Sequence, residues 1–370
     1  MHTNIFALPQ RLSSSRRWLM ALVMALAVAV AAAYSAHAAN IPPVDCTTTH
    51  TTSFDLWAKA GTLAMADGTT VNIWGYAANS GDAAQLPGPT LVACAGDNIT
   101  INLHNVDIPN ATSLAVHGQA GFAADRVGVT STDPAKSYAF TARAGTFVYQ
   151  AGLTPDGSMQ AALGLYGALV VYPANGQAYD ANSTFDAEQL VLMSEVDPAL
   201  NGVAPAPVNI SFDMGDYSPK YWLINGKSYP QTDPISVTAG NRVLLRYANA
   251  GFEEHSMSLL GLNQSVIATN GYLSPYAHGV VAETVPPGST MDALVTMPAG
   301  GQYPLYDGNQ HIDNNGANAL GGMMTFINVT AAAAPQAAAP AAQDTTVDVA
   351  PPASSKNPPQ PTPIIVPPAQ

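Results

Sequence analysis

One pattern occurs twice in this chain and restricts its fold more than any other: an aromatic strand entered through glycine, a polar Gly-rich loop, and a returning apolar strand. The later copy runs from Gly300-Gly-Gln-Tyr-Pro-Leu-Tyr-Asp-Gly-Asn-Gln-His311, past Asn314-Asn-Gly316, to Gly321-Gly-Met-Met-Thr-Phe-Ile-Asn-Val329. The earlier one runs from Ala144-Gly-Thr-Phe-Val-Tyr-Gln-Ala-Gly152 to Gly164-Leu-Tyr-Gly-Ala-Leu-Val-Val-Tyr172. Short aromatic and β-branched runs bounded by glycine read as strands. A further match supports the duplication. Ala95-Gly-Asp97 opens Ile99-Thr-Ile-Asn-Leu103, and Ala239-Gly-Asn241 opens Val243-Leu-Leu-Arg-Tyr247, 144 residues later; the aromatic entries lie 156 residues apart. Intervals of that length mark a duplicated domain, since solenoid repeats recur at tens of residues.

The sequence around these copies has the same character. Val71-Asn-Ile-Trp-Gly-Tyr76, Leu91-Val-Ala-Cys94, Tyr138-Ala-Phe140 and Phe147-Val-Tyr149 are separated by Gly, Pro, Asn and Asp, and no long segment keeps a helical period. This predicts an all-β chain of two tandem β-sandwich domains, at 46–175 and 184–330. Residues 331–370 are Ala- and Pro-rich with few aromatics, and read as a disordered or extended tail without a core. The tail is a candidate contact for a protein partner.

The N-terminus predicts export. Arg11, Arg16 and Arg17 precede the apolar run Trp18 to Ala33, and Ala36-His37-Ala38 supplies a small-X-small cleavage pattern, so 1–38 reads as a signal peptide. The run is shorter than the roughly 20 residues of a membrane span. A periplasmic or extracellular destination follows. Of 12 basic residues, the three leader arginines are lost, leaving 9 against 25 acidic residues and a net charge of −16. Such a field repels nucleic acid and anionic membrane surfaces. Cys46 and Cys94 are the only cysteines, and in an oxidising compartment they are expected to pair. A copper-thiolate role for either is the alternative, and neither lies in the two loops described above.

Several of these stretches resemble a known family. Leu86-Pro-Gly-Pro-Thr90, Ala95-Gly-Asp97, Ser113-Leu-Ala-Val-His-Gly118, Ala144-Gly-Thr-Phe-Val-Tyr149 and Gly164-Leu-Tyr-Gly-Ala-Leu169 are similar to the first cupredoxin domain of multicopper oxidases. Asn249-Ala-Gly251 with His255, Val266-Ile-Ala-Thr-Asn-Gly271, Gly301-Gln-Tyr-Pro304 and Gly321-Gly-Met-Met324 resemble their copper-bearing last domain. The resemblance implies two tandem cupredoxin-like Greek-key sandwiches. Two-domain members, laccase-like proteins and copper nitrite reductases among them, imply a homotrimer with copper inside domains and between subunits.

The residues that hold copper in that family are largely replaced here. Its first His-X-His reads Ala115-Val-His117, its second pair reads Gln150-Ala-Gly152, the cluster opened by His255 continues as Ser258 and Leu260, and the final pair reads Tyr306-Asp-Gly308. An oxygen-reducing three-copper cluster takes eight imidazoles by family analogy, while this chain has 8 histidines, of which His2 and His37 fall in the leader. The resemblance leaves His255, His311 and Met323 or Met324 at mononuclear-site positions, with Asp307 in place of the thiolate or of the pair's central residue. The expectation is no cofactor or at most one copper ion, held by His255, His311, Asp307 and Met323, and a binding, scaffolding or assembly role in place of catalysis. The alternative is a copper-binding oxidoreductase with that single site. His117 is expected to pack or to bond at an interface, and Glu253-Glu254 reads as a solvated turn.

Overall fold

The computed structural model describes residues 41–174, 176–204, 211–313 and 320–331. The leader and the tail beyond Ala331 lie outside these residues, as does the loop segment Asn314-Asn-Gly316.

The first sandwich is built from β1 (Ser53–Ala64), β2 (Thr70–Ala77), β3 (Leu91–Cys94), β4 (Asn98–Asn105), β5 (Leu114–Val116), β6 (Lys136–Thr141), β7 (Gly145–Ala151) and β8 (Tyr166–Tyr172). Its two sheets run β2-β1-β4-β6 and β3-β8-β7-β5. In β4 the burial alternates residue by residue, with Ile99, Ile101 and Leu103 fully inside, as a strand with one face on a core requires. β7 and β8 are buried almost throughout, because one face meets the first core and the other meets the second sandwich. The loop between them contains a short helix, α1 (Gly157–Ala162).

The second sandwich repeats this plan. It comprises β9 (Ala187–Val196), β10 (Tyr221–Ile224), β11 (Ile235–Thr238), β12 (Arg242–Asn249), β13 (His255–Leu259), β14 (Gln264–Thr269), β15 (Tyr272–Val280), β16 (Thr284–Val285), β17 (Thr290–Thr296), β18 (Gly301–Asp307) and β19 (Met324–Thr330). Its sheets run β10-β9-β12-β17-β14-β15 and β11-β19-β18-β13-β16. The parallel pairs correspond: β1 with β4 matches β9 with β12, and β3 with β8 matches β11 with β19. The antiparallel pairs β7 with β8 and β18 with β19 are the two aromatic-strand repeats of the sequence. The chief additions are the β14–β15 hairpin and the short β16.

The two sandwiches share an apolar cluster in which Ile73, Leu86, Val148 and Tyr166 meet Leu190, Leu192, Leu223 and Ala248. Beside it lies a buried polar contact. Arg246 on β12 has no exposed surface, and it donates from Nε to Glu188 at 2.8 Å and from Nη1 to Thr146 Oγ1 of the first sandwich at 3.2 Å. Thr146 in turn donates to Asp292 at 2.7 Å. A guanidinium removed from water is tolerated only with such partners. Arg143 adds a second strap, donating to the carbonyls of Gly118, Asn270 and Gly271 and lying 4.0 Å from the Tyr272 ring.

Cys46 and Cys94 form the expected disulfide, with their Cα atoms 5.6 Å apart. No helix among the described residues is long and apolar enough to cross a membrane.

Candidate metal and carboxylate site

The charged cluster of the second sandwich sits where β9, β13 and β18 end together. β13 begins at His255 and pairs antiparallel with β18, Met257 opposite Asp307, which brings a residue 52 positions later beside the imidazole. The His255 ring is fully buried. Its Nδ1 lies 2.9 Å from Asp307 Oδ2 and its Nε2 lies 2.8 Å from Glu195 Oε1. His311 reaches the same Asp307 oxygen from its Nδ1 at 2.7 Å, and its ring stacks on Trp222 at 4.4 Å and 3°. The two Nδ1 atoms and the carboxylate oxygen thus converge on one point.

Backbone donors complete the cluster. Asp307 Oδ1 accepts the N–H groups of Ser256 and Asn309 at 3.0 and 3.1 Å. Glu195 accepts those of Phe252 and Glu253 at 2.9 and 3.0 Å. The space for Glu195 exists because residue 251 is glycine: a Cβ there would lie 2.1 Å from Glu195 Oε2. Gly322, at φ +61°, likewise lets the returning strand pass the His311 carbonyl, which a Cβ would approach to 2.3 Å.

Burial alone would lower the pKa of His255, but its hydrogen bonds to Asp307 and Glu195 and the charge of both carboxylates raise it to about 9. Burial alone would raise that of Asp307, yet the hydrogen bond and charge of His255, with the Ser256 and Asn309 N–H groups, hold it at about 2. At neutral pH the ring is therefore an imidazolium donating from both nitrogens to two carboxylates.

The structure brings together three of the four residues singled out from sequence: His255, Asp307 and His311. Met323 is fully buried in the apolar core of this sandwich, and its backbone joins the other two, donating to the His311 carbonyl at 2.7 Å and accepting from the Asp307 N–H at 3.0 Å. Glu195 and Trp222 carry no local signal in the sequence and were not anticipated. Glu253 corrects the reading of a wholly solvated turn. It is half-buried, accepts the Trp222 indole N–H at 3.1 Å and lies 3.6 Å from His311 Nε2, while Glu254 stays exposed. Both residues lie in the loop that precedes β13, and Glu253 is the one that faces the cluster.

The equivalent end of the first sandwich has a different character. Ala115 pairs with Gln150 across β5 and β7, beside a cavity of about 280 Å³ bordered also by His117, Phe122 and Leu153. His117 packs its ring against Gly288 of the second sandwich, where a Cβ would lie 2.9 Å from Nδ1, and burial lowers its pKa.

A pair of β-sandwiches with matching mixed sheets is the cupredoxin-like architecture, and the blue copper oxidase of Nitrosomonas europaea has the same fold, with a TM-score of 0.65 at 22% identity over 75% of this chain and 85% of that one. Residues 58–176 match the multicopper oxidase family. A laccase-17 sequence of Oryza sativa subsp. japonica is 31% identical over 72% of this chain and 50% of its own length; the copper-containing nitrite reductase of Alcaligenes xylosoxydans xylosoxydans is 28% identical over 66% and 77%. Residues 58–176 thus belong to the multicopper oxidase family, and the chain as a whole is similar to its laccase and copper nitrite reductase members. It spans half or less of the length of the plant laccases it matches.

Proposed function

We propose that this chain is an exported, non-catalytic member of its family, a binding or assembly protein whose mononuclear copper position is closed by a proton. The observation that carries this reading is the double commitment of the buried His255 ring, with each nitrogen within 2.9 Å of a carboxylate. A metal entering at Nδ1 must first displace a proton held with a pKa of about 9, which weakens binding near pH 7 by roughly a hundredfold. In the first sandwich Ala115 and Gln150 stand at positions where the resemblance calls for imidazoles, so oxygen reduction has no ligand set there. The domains at 46–175 and 184–330 would assemble as a homotrimer, with the Pro-rich tail free to reach a partner.

A second reading rests on a specific observation. His255 Nδ1, His311 Nδ1 and Asp307 Oδ2 already lie within 4.8 Å of one another, and Glu195 on His255 Nε2 is the type of outer carboxylate that orients ligating histidines. One copper of carboxylate-imidazole type fits this set, without the thiolate of a fast electron-transfer site. Metal analysis and paramagnetic resonance of the copper-loaded chain separate the two readings. The first expects less than 0.1 copper per chain at equimolar micromolar metal and pH 7; one tightly held copper gives the second. A strong blue band, or stoichiometric coupled copper pairs with oxygen consumption on phenols, would refute both.

A further inference from the structure

A second cluster of metal-ligating side chains lies at the edge of the first sandwich, far along the sequence from the charged cluster. His50 Nε2, Cys94 Sγ and Asp97 all offer ligand atoms within 4.8 Å of one another, and Cys46 is bonded to Cys94. We propose that these four residues form a zinc site masked by the disulfide, which two-electron reduction opens.

The ladder holds most of this site without help from the disulfide. β1 pairs parallel with β4, Ser53 opposite Thr100, and the same offset continued three residues back sets His50 opposite Asp97. There the His50 Nε2 to Asp97 Oδ2 distance is 2.6 Å. Asp97 Oδ2 also accepts the Cys94 N–H at 3.2 Å across a tight turn, in which Gly96 has φ +93°. Cys94 is therefore placed by the pairing of β3 with β8 and Asp97 by the turn that follows, His50 continues the β1 offset beyond the paired residues, and only Cys46 is placed by the covalent bond. The Thr48 carbonyl, 2.7 Å from His50 Nδ1, holds a proton on that nitrogen, so a metal would enter at Nε2 by displacing the proton now shared with Asp97.

The donor set suits zinc. Two thiolates, one imidazole and one carboxylate make a closed tetrahedron, and bond lengths of about 2.0–2.3 Å put neighbouring ligand atoms roughly 3.3–3.8 Å apart. The His50–Asp97 contact of 2.6 Å must open to reach that spacing, while the set as a whole already lies within 4.8 Å. Soft thiolates select zinc or cadmium over calcium and magnesium. The spacings Cys46-X3-His50 and Cys94-X2-Asp97 are of the length that structural zinc sites use. The side chains of His50 and Asp97 are 16% and 23% exposed, which leaves an entry path. The chemistry balances with a phosphine reductant: the phosphine takes up a water oxygen to become its oxide, the disulfide gains two electrons and two protons, and zinc then displaces both thiol protons.

The test compares the full chain before and after anaerobic phosphine reduction, titrated with zinc and separately with cadmium. The expected result is one additional zinc per chain on reduction, with cadmium giving the ultraviolet absorption of a metal thiolate, a signal the His255 cluster cannot produce. His50→Ala and Asp97→Asn are each expected to weaken binding at least tenfold. Equal zinc uptake by oxidised and reduced chains, the reduced one keeping its β circular dichroism, overturns the proposal. If reduction unfolds the chain, Cys46→Ala replaces it as the reduced form with His50, Cys94 and Asp97 intact. Cadmium-thiolate absorption lost on adding His50→Ala supports the site; absorption unchanged by it, or absent from the start, refutes it.

Discussion

His117 follows β5 of the first sandwich and His255 opens β13, the matching strand of the second, and burial has acted on them in opposite directions. His117 is half-buried with no ion pair to a carboxylate among the described residues, so burial lowers its pKa and the ring packs against Gly288. His255 is fully buried between Glu195 and Asp307, so its pKa rises to about 9. Desolvation disfavours charge at both positions. Two carboxylates outweigh it at one of them. Matching strands thus show two stable arrangements: uncharged side chains, as at Ala115 and Gln150, or complete pairing of the charge that is present.

The comparison breaks most visibly if the paired charge is left incomplete. His255→Ala strands Glu195 and Asp307 as buried like charges, and we expect a loss of about 3–5 kcal/mol in urea unfolding. His117→Ala is expected to cost less than about 1 kcal/mol, because it removes packing and no ion partner. Similar losses for the two variants would show that His255 is uncharged.

The pH profile tests the same point without mutation. A group whose folded pKa is raised stabilises fully below its unfolded value and stops doing so as pH passes the folded value. His255 is thus expected to contribute fully below pH ~6.5 and to lose its contribution, on the order of 3 kcal/mol, as pH rises through about 9. Asp307 has the opposite sign: its contribution is present above pH ~3.8 and disappears as pH falls through about 2. A nitrogen-15 imidazole spectrum should show His255 doubly protonated at pH 7. A neutral ring there would sink the pairing account.

Gly251→Ala asks whether Glu195 needs its close approach to the backbone. The added Cβ overlaps the carboxylate, so a cost of about 1–3 kcal/mol is expected, along with a lower His255 pKa as the ion pair lengthens. An unchanged imidazole titration would mean that Glu195 is dispensable. The smallest effect is expected at Glu253→Gln. Glu253 is half-exposed and 3.6 Å from His311, and removal of its charge should change stability by less than about 1 kcal/mol.

Much of the fold was legible beforehand because period and punctuation are local properties. The alternation in Ile99-Thr-Ile-Asn-Leu103 and the glycine entries at Gly145 and Gly301 fall on β4, β7 and β18. The Cys46–Cys94 pairing needed only a count of cysteines and the expectation of an oxidising destination. His255, Asp307 and His311 were reachable from the resemblance, since strand pairing keeps their places even where residue types change.

Glu195, Glu253 and Arg246 were not legible in the same way. Glu195 lies 60 residues before His255, on a strand of the opposite sheet, and reaches the imidazole only because Gly251 leaves room between them. A glutamate in an apolar strand has no periodic or motif signal to announce that its partner is a histidine. Whether a carboxylate faces a cation, a backbone N–H or water is settled by a few ångströms of approach between distant segments. The chain order by itself determined the two β-sandwiches and the residues available for a site. Tertiary packing alone decided that His255 carries a charge and His117 does not, because charge depends on which groups share a dry pocket.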